Sequence, residues 1–281
     1  MTPSVRARRR VSALLVSGVI AATGIGTACS EIGLGPNEAA AIELDPFPSP
    51  SVVVGDTLRN IDGVVSPVRA RVFNVRGDLI DEASPRYLYA DFNVDSALAI
   101  DSSTGIVVAK KFVAGDKRIA ARIGGSLQVL RTIRIVTRPD SVDGTSLTEI
   151  LGTSLPDTGR RGLDSNSTKA LNVTVRHLEA GAVTTVRSWP VRFQLLNPAN
   201  PTNDTMAAAY LIDDQGRAST IDTTDDSGVA GRRVRVRALQ FPAGTTVESV
   251  VVRATVTYKG LPLKGSPVRI TAPVRRGAGS P

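Results

Sequence analysis

The sequence predicts an all-β protein, two tandem β-sandwiches behind a separate N-terminal segment. Three observations lead there. From Ser51 onward apolar and polar residues alternate with period two, and turn residues return about every eight to twelve positions. No stretch of the mature chain has the spacing of a long amphipathic helix. Aromatic residues make up only 4% of the chain, so the cores must be built from Val, Ile, Leu and Ala. At 281 residues, with 42% hydrophobic and 21% charged side chains, the chain has the length and composition of two modest globular domains.

The N-terminal segment comes first. Arg6, Arg8, Arg9 and Arg10 precede an apolar stretch from Val11 to Ala28 that ends at Cys29. A basic region, a short apolar region and small residues before a cleavage point form a secretory signal over residues 1–28. Gly18, Gly24 and Gly26 interrupt the stretch, which is shorter than the roughly 20 apolar residues of a spanning helix. Cys29 is the only cysteine, so it has no disulfide partner within the chain. Gly26-Thr27-Ala28-Cys29 resembles the bacterial lipobox. That resemblance implies a diacylglycerol on Cys29, and Ser30 after it resembles the outer-membrane sorting pattern. Two or three acyl chains, at about 0.8 kcal/mol per buried methylene, anchor a protein stably. Loss of residues 1–28, which contain four Arg and no acid, lowers the formal net charge from +8 to +4. That excess is too small for a nucleic-acid footprint, and it is compatible with attraction to anionic lipid or surface polysaccharide.

Residues 29–50, with Pro36, Pro46, Pro48 and Pro50, read as a tether carrying the lipidated cysteine. The first sandwich is expected over 51–138. Its alternation is clear in Val68–Val75, in Leu98–Ile100 and Ile106–Ala109 around the turn Asp101–Gly105, and in Ile119–Ile123 before Gly124-Gly125. Residues 139–168 are rich in Gly, Ser, Thr, Asp and Pro and read as a linker, with a turn of helix around Leu147–Leu151. The second sandwich is expected over 169–275, through Leu171–Arg176, Val191–Leu195, Val234–Arg237, Val250–Tyr258 and Val268–Ile270, with a tail at 276–281.

The run Leu98-Ala99-Ile100-Asp101-Ser102-Ser103-Thr104-Gly105-Ile106-Val107-Val108-Ala109, with the earlier Val72–Ile80 hairpin, resembles the bacterial immunoglobulin-like group 2 repeat. The second unit resembles the invasin-type group 1 modules at Asp222–Ala230 and at Val251–Val268. Both resemblances imply immunoglobulin-like sandwiches used for extracytoplasmic spacing, adhesion or carbohydrate contact, and no catalysis.

Candidate chemistry is sparse. With one His and one Cys, a Cys/His zinc cage is excluded, and any His-dependent nucleophile must use His177. Glu179 stands two residues on and could orient it as a general base, but no G-x-S-x-G elbow accompanies the pair. Asp222, Asp225 and Asp226, near Asp213 and Asp214, are the candidate calcium ligands; turn formation is the competing reading and is preferred. Arg232, Arg233, Arg235 and Arg237 could form a basic row for a polyanion, or lie on a solvent face with Val234 and Val236 inward, the preferred reading. Trp189 is expected in the core of the second sandwich rather than as a sugar platform. Asn166, Asn172 and Asn203 begin N-x-S/T sequons, from which no glycan is read in a bacterial export context.

The expected function is therefore a membrane-anchored exported lipoprotein presenting non-catalytic domains for adhesion or partner binding. The loops Asn197–Asp204 and Asp222–Gly228 are its candidate contact points. Cys29 is the expected lipid site. No cofactor and no nucleic acid are expected, and a surface polysaccharide or envelope protein is the expected partner. The alternatives are a structural spacer or accessory subunit of an envelope complex, and a carbohydrate-active enzyme using the Asp222–Asp226 carboxylates.

Overall fold

A computed structural model describes residues 38–91, 97–145, 151–153, 167–237 and 249–276. Cys29 and the segment expected to be a signal, residues 1–28, lie outside the described residues. The elements are all strands and turns; no helix occurs among the described residues.

The first unit contains β1 (Ala41–Leu44), β2 (Ser51–Val53), β3 (Ala70–Phe73), β4 (Arg86–Tyr89), β5 (Leu98–Ile100), β6 (Val107–Ala109), β7 (Asp116–Ile123) and β8 (Leu127–Val136). One sheet runs β2-β8-β7-β4, with β2 parallel to β8 and the remaining pairs antiparallel. The β1–β3 pair and the β5–β6 hairpin are the other strand pairs of this unit. Val52, Leu58, Val68, Val107, Ile119 and Ile133, each nearly inaccessible, fill the core. Burying each such aliphatic side chain contributes about 1.5–3 kcal/mol. The backbone N–H of Ala70 donates to the Tyr87 hydroxyl at 3.0 Å. Asp101 starts the β5–β6 turn by accepting the N–H groups of Ser103 and Thr104, at 3.0 and 2.8 Å.

The second unit contains β9 (Ser141–Gly144), β10 (Leu151–Thr153), β11 (Leu171–Glu179), β12 (Ala182–Thr185), β13 (Pro190–Asn197), β14 (Ala209–Ile212), β15 (Ile221–Thr223), β16 (Val229–Val236), β17 (Ser249–Thr255), β18 (Thr257–Tyr258), β19 (Leu261–Pro262) and β20 (Val268–Arg276). One sheet runs β10-β20-β17-β13-β15; the other runs β12-β11-β16-β14 with β9 also on β11. Alternate residues of each strand point inward: Leu171, Val173 and Val175 from β11, Val191, Phe193 and Leu195 from β13, and Val234 and Val236 from β16. This is a β-sandwich whose two inner faces meet in one apolar core.

Three expected boundaries change. Part of the expected tether is β1, antiparallel to β3, and Leu44 enters the core. The stretch expected as linker supplies β9, antiparallel to β11, and β10, parallel to β20. Its polar composition suits edge strands, where neighbouring long strands supply the hydrogen bonds; Val142 of β9 supplies a buried apolar side chain. The helical turn expected at Leu147–Leu151 falls largely outside the described residues, and Leu151 itself begins a strand. Arg276, assigned to the tail, is the last residue of β20.

Candidate functional site at the junction of the two units

Four residues, Thr137–Asp140, connect β8 to β9, so the two units meet directly. Val53 and Val136 of the first unit belong to the hydrophobic core of the second, the core that contains Trp189. Around that apolar centre runs a ring of polar contacts. Ser51 Oγ donates to the Ser188 carbonyl at 2.7 Å, and Thr257 Oγ1 donates to the Ile61 carbonyl at 3.2 Å. Arg134 pairs with Asp226 at 2.9 Å, and Arg192 with Asp62 at 2.8 Å.

Asp56 is the most buried charge of this ring, 8% exposed. Its carboxylate takes both Nε and Nη2 of Arg59, at 3.1 and 3.2 Å, and the hydroxyl of Tyr258 at 3.0 Å. Lys259 Nζ stands 3.5 Å away. Burial alone would raise the Asp56 pKa; the hydrogen bonds from Arg59, Thr57 and Tyr258 outweigh it and hold the group below the ordinary carboxylate value. Burial and donation to that carboxylate push the Tyr258 phenol up to about 12, so it remains a donor. The Tyr258 ring tilts against Trp189 with centroids 6.1 Å apart, and the Arg138 guanidinium lies 5.7 Å from its centroid. The cavity enclosed here measures about 20 Å³, room for a water molecule and no organic ligand.

A larger cleft of about 470 Å³ opens on the other side of the connection. The β11–β12 hairpin, closed by Ala180 and Gly181 at positive φ, forms one wall with His177, Glu179 and Thr184. Phe112 and Ile135 form the wall from the first unit, and Arg187 and Asp226 lie at the end. His177 Nδ1 is 2.7 Å from Asp140 Oδ2, and Nε2 is 3.5 Å from Glu179. Asp140 also accepts the Leu178 N–H at 2.9 Å. Burial of Asp140 acts upward on its pKa, yet the Leu178 N–H and His177 hold it below the usual value. His177 is thus oriented by two carboxylates, and among the described residues no hydroxyl or thiol is bonded to it that it could activate.

The three candidate calcium ligands are separated by their partners. Asp222 pairs with Arg232 at 2.8 Å and accepts the Gly231 N–H; Asp225 accepts the N–H groups of Ser227 and Val229 in its own turn; Asp226 faces Arg134 and Arg187. Among the described residues no group of three His, Cys, Asp or Glu is arranged to hold a metal ion. The basic row loses Arg232, which is 8% exposed and shares the inward parity of Val234 and Val236. Adjacent strand residues face opposite ways, so Arg232 and Arg233 cannot share a row. Trp189 is in the core, 8% exposed, at the junction end of the sandwich. In the Asn197–Asp204 loop, Asn200 and Asn203 turn their side chains onto the backbone of β14. Sequence reasoning missed Asp56, Arg59, Asp140 and Tyr258, whose partners lie 37 to 202 residues away for Asp140–His177 and Asp56–Tyr258.

No family model matches the chain, and no curated protein matches it. Solved structures similar to it include domains 4 and 5 of the S-layer protein SbsC, at 10% identity and a TM-score of 0.28, covering 86% of this chain and 100% of that one. The S-layer protein rSbsC(31-844) shares 13% identity at a TM-score of 0.30, over 87% of this chain and 29% of that one. Protocadherin gammaB7 EC3-6 shares 14% identity at 0.25, over 84% and 48%. Identities and scores of this size define no family for the chain.

Proposed function

We propose that the chain is an exported lipoprotein, anchored through Cys29, whose two sandwiches act as one non-catalytic unit presenting a binding surface at the cell envelope. The observation that carries this reading is the junction. A buried carboxylate, two cross-unit ion pairs and shared core residues hold the units in one orientation, as suits a module that sets a surface at a fixed distance from its anchor. The same feature would serve an envelope spacer or accessory subunit, which is the second reading.

Protease treatment of intact and lysed cells tests both. Cleavage in intact cells supports surface presentation, and protection until lysis moves the role to the periplasmic spacer. Cys29→Ser should release the chain from the membrane fraction. A chain that stays in that fraction after the substitution, or one found in the cytoplasm, would overturn the anchor.

A further inference from the structure

We infer that β12 is a docking edge for an extended segment of another polypeptide, which adds to the β11–β12 hairpin as a further strand. This rests on the binding role proposed above and names the partner's chemistry.

The hairpin runs past the end of its own sheet. Val175 donates to Gly228 and accepts from Val186, so β12 continues the edge that β16 leaves. Hydrogen-bonded pairs alternate in an antiparallel ladder, and the register places Thr184 opposite His177 and Ala182 opposite Glu179. The N–H and C=O groups of Val183 and Thr185 therefore point away from β11, and among the described residues they take no partner. All four residues of β12 are exposed and uncharged.

Two other edges of the same sandwich are closed. On β14, Asn203 accepts the N–H of Leu211 at 2.6 Å and donates to its C=O at 3.0 Å, while Asn200 donates to the Ala209 carbonyl at 2.8 Å. Beside β9, Lys264 accepts the N–H of Val142 at 2.9 Å and donates to Asp140 at 3.2 Å. Edges left open invite strand addition, and soluble proteins ordinarily block them with charge, bulges or caps. β12 has none of these.

Its surroundings select the occupant. One face of the hairpin presents Leu178 and Val183, directly paired and 58% and 56% exposed. The other face borders the 470 Å³ cleft with Phe112, Arg187 and Asp226. Side chains alternate along a strand, so an added strand would lay one set on Leu178 and Val183 and drop the other into the cleft. The cleft is walled by Phe112, Ile135 and Val136 of the first unit. The match is a segment with β-branched or aromatic residues at alternate positions, spanning about 13 Å over four residues.

The test uses the whole exported chain in detergent, with phage-displayed random twelve-residue peptides as the probe. Enriched peptides should show the alternation, and the best of them should slow amide hydrogen exchange at Val183 and Thr185 at least tenfold. Val183→Pro removes an outward N–H while sparing the bonds to β11, which an edge strand tolerates; it should weaken binding at least tenfold. Val183→Lys, at an exposed position that keeps the fold, should do the same. No enrichment, binding indifferent to both variants, or exchange protection elsewhere would overturn the inference. So would self-association through this edge in sedimentation, or protection of the two amides by an oligosaccharide instead of a peptide. A cytoplasmic chain that still passed this test would remove the exported role and leave the docking edge standing.

Discussion

A Cβ on Gly63 would lie 1.9 Å from the amide nitrogen of Gly260, and its φ of +82° already disfavours a side chain. The turn at 60–63 in the first unit and the β18–β19 turn in the second are therefore in backbone contact, and any side chain must push the units apart. Gly63→Ala should cost about 3–4 kcal/mol, combining left-handed strain with displaced backbone. Gly77→Ala, at φ +83° with nothing within 4 Å, should cost about 1–2 kcal/mol from strain alone. Urea unfolding of the two variants checks the difference; equal losses would mean the turns do not interlock. Asp56 makes the second residue-scale prediction. Its pKa is lowered in the folded chain, so its contribution is complete above the unfolded value of about 3.9 and fades as pH falls through the folded one. Asp56→Asn should lower stability at pH 7 and flatten this acid limb, as denaturant titrations at pH 7, 5 and 3 would show. An unchanged slope below pH 4 would assign acid sensitivity to other carboxylates.

Strands divide by how they are held. β11, β13 and β16 were legible in the sequence because each buries alternate side chains, and the alternation is visible without knowing the partner strand; β17 was legible through its run of three valines, all buried. β9, β10 and β12 were not, since edge strands are defined by backbone bonds to a neighbour and carry few buried apolar residues. The turns at Asp101 and Asp225 were also legible, because the side chain and the N–H groups it accepts lie within four residues of each other. The candidate site was almost wholly illegible: Asp56 meets Tyr258 across 202 residues, and no local pattern marks either. His177 was found as a residue, but its principal partner is Asp140 in the connecting segment, at 2.7 Å, with Glu179 further off. Capping of β14 gives the prediction at this scale. Asn203 accepts the N–H of Leu211 and shares the Leu211 C=O with the N–H of Ser219, so Asn203→Ala should destabilise the protein by about 1–2 kcal/mol, near the cost of orphaning one polar group. It should also promote association through the opened edge. Denaturant titration and sedimentation velocity measure the two effects, and a stable monomer would show that the cap is dispensable.

The whole molecule is a pair of sandwiches that lack an independent boundary. Val53 and Val136 are buried by the second unit's core, and Arg134, Asp62 and Asp56 find their cross-unit partners there. Separating the units would expose apolar side chains and leave Asp56 facing Arg59 without the Tyr258 donor and the nearby Lys259 charge. Two domains on a flexible linker unfold separately, whereas units that share a core melt together. Calorimetry of the intact chain should therefore give one transition, with calorimetric and van't Hoff enthalpies in agreement. A chain combining Asp56→Ala with Tyr258→Phe keeps both individual cores and removes the polar centre of the junction. Its thermogram should split into two transitions, and its small-angle scattering should show a wider spread of inter-unit distances. Two transitions in the unaltered chain would mean that the junction only juxtaposes the sandwiches. The orientation of the second unit against the first would then be set by residues 137–140 alone.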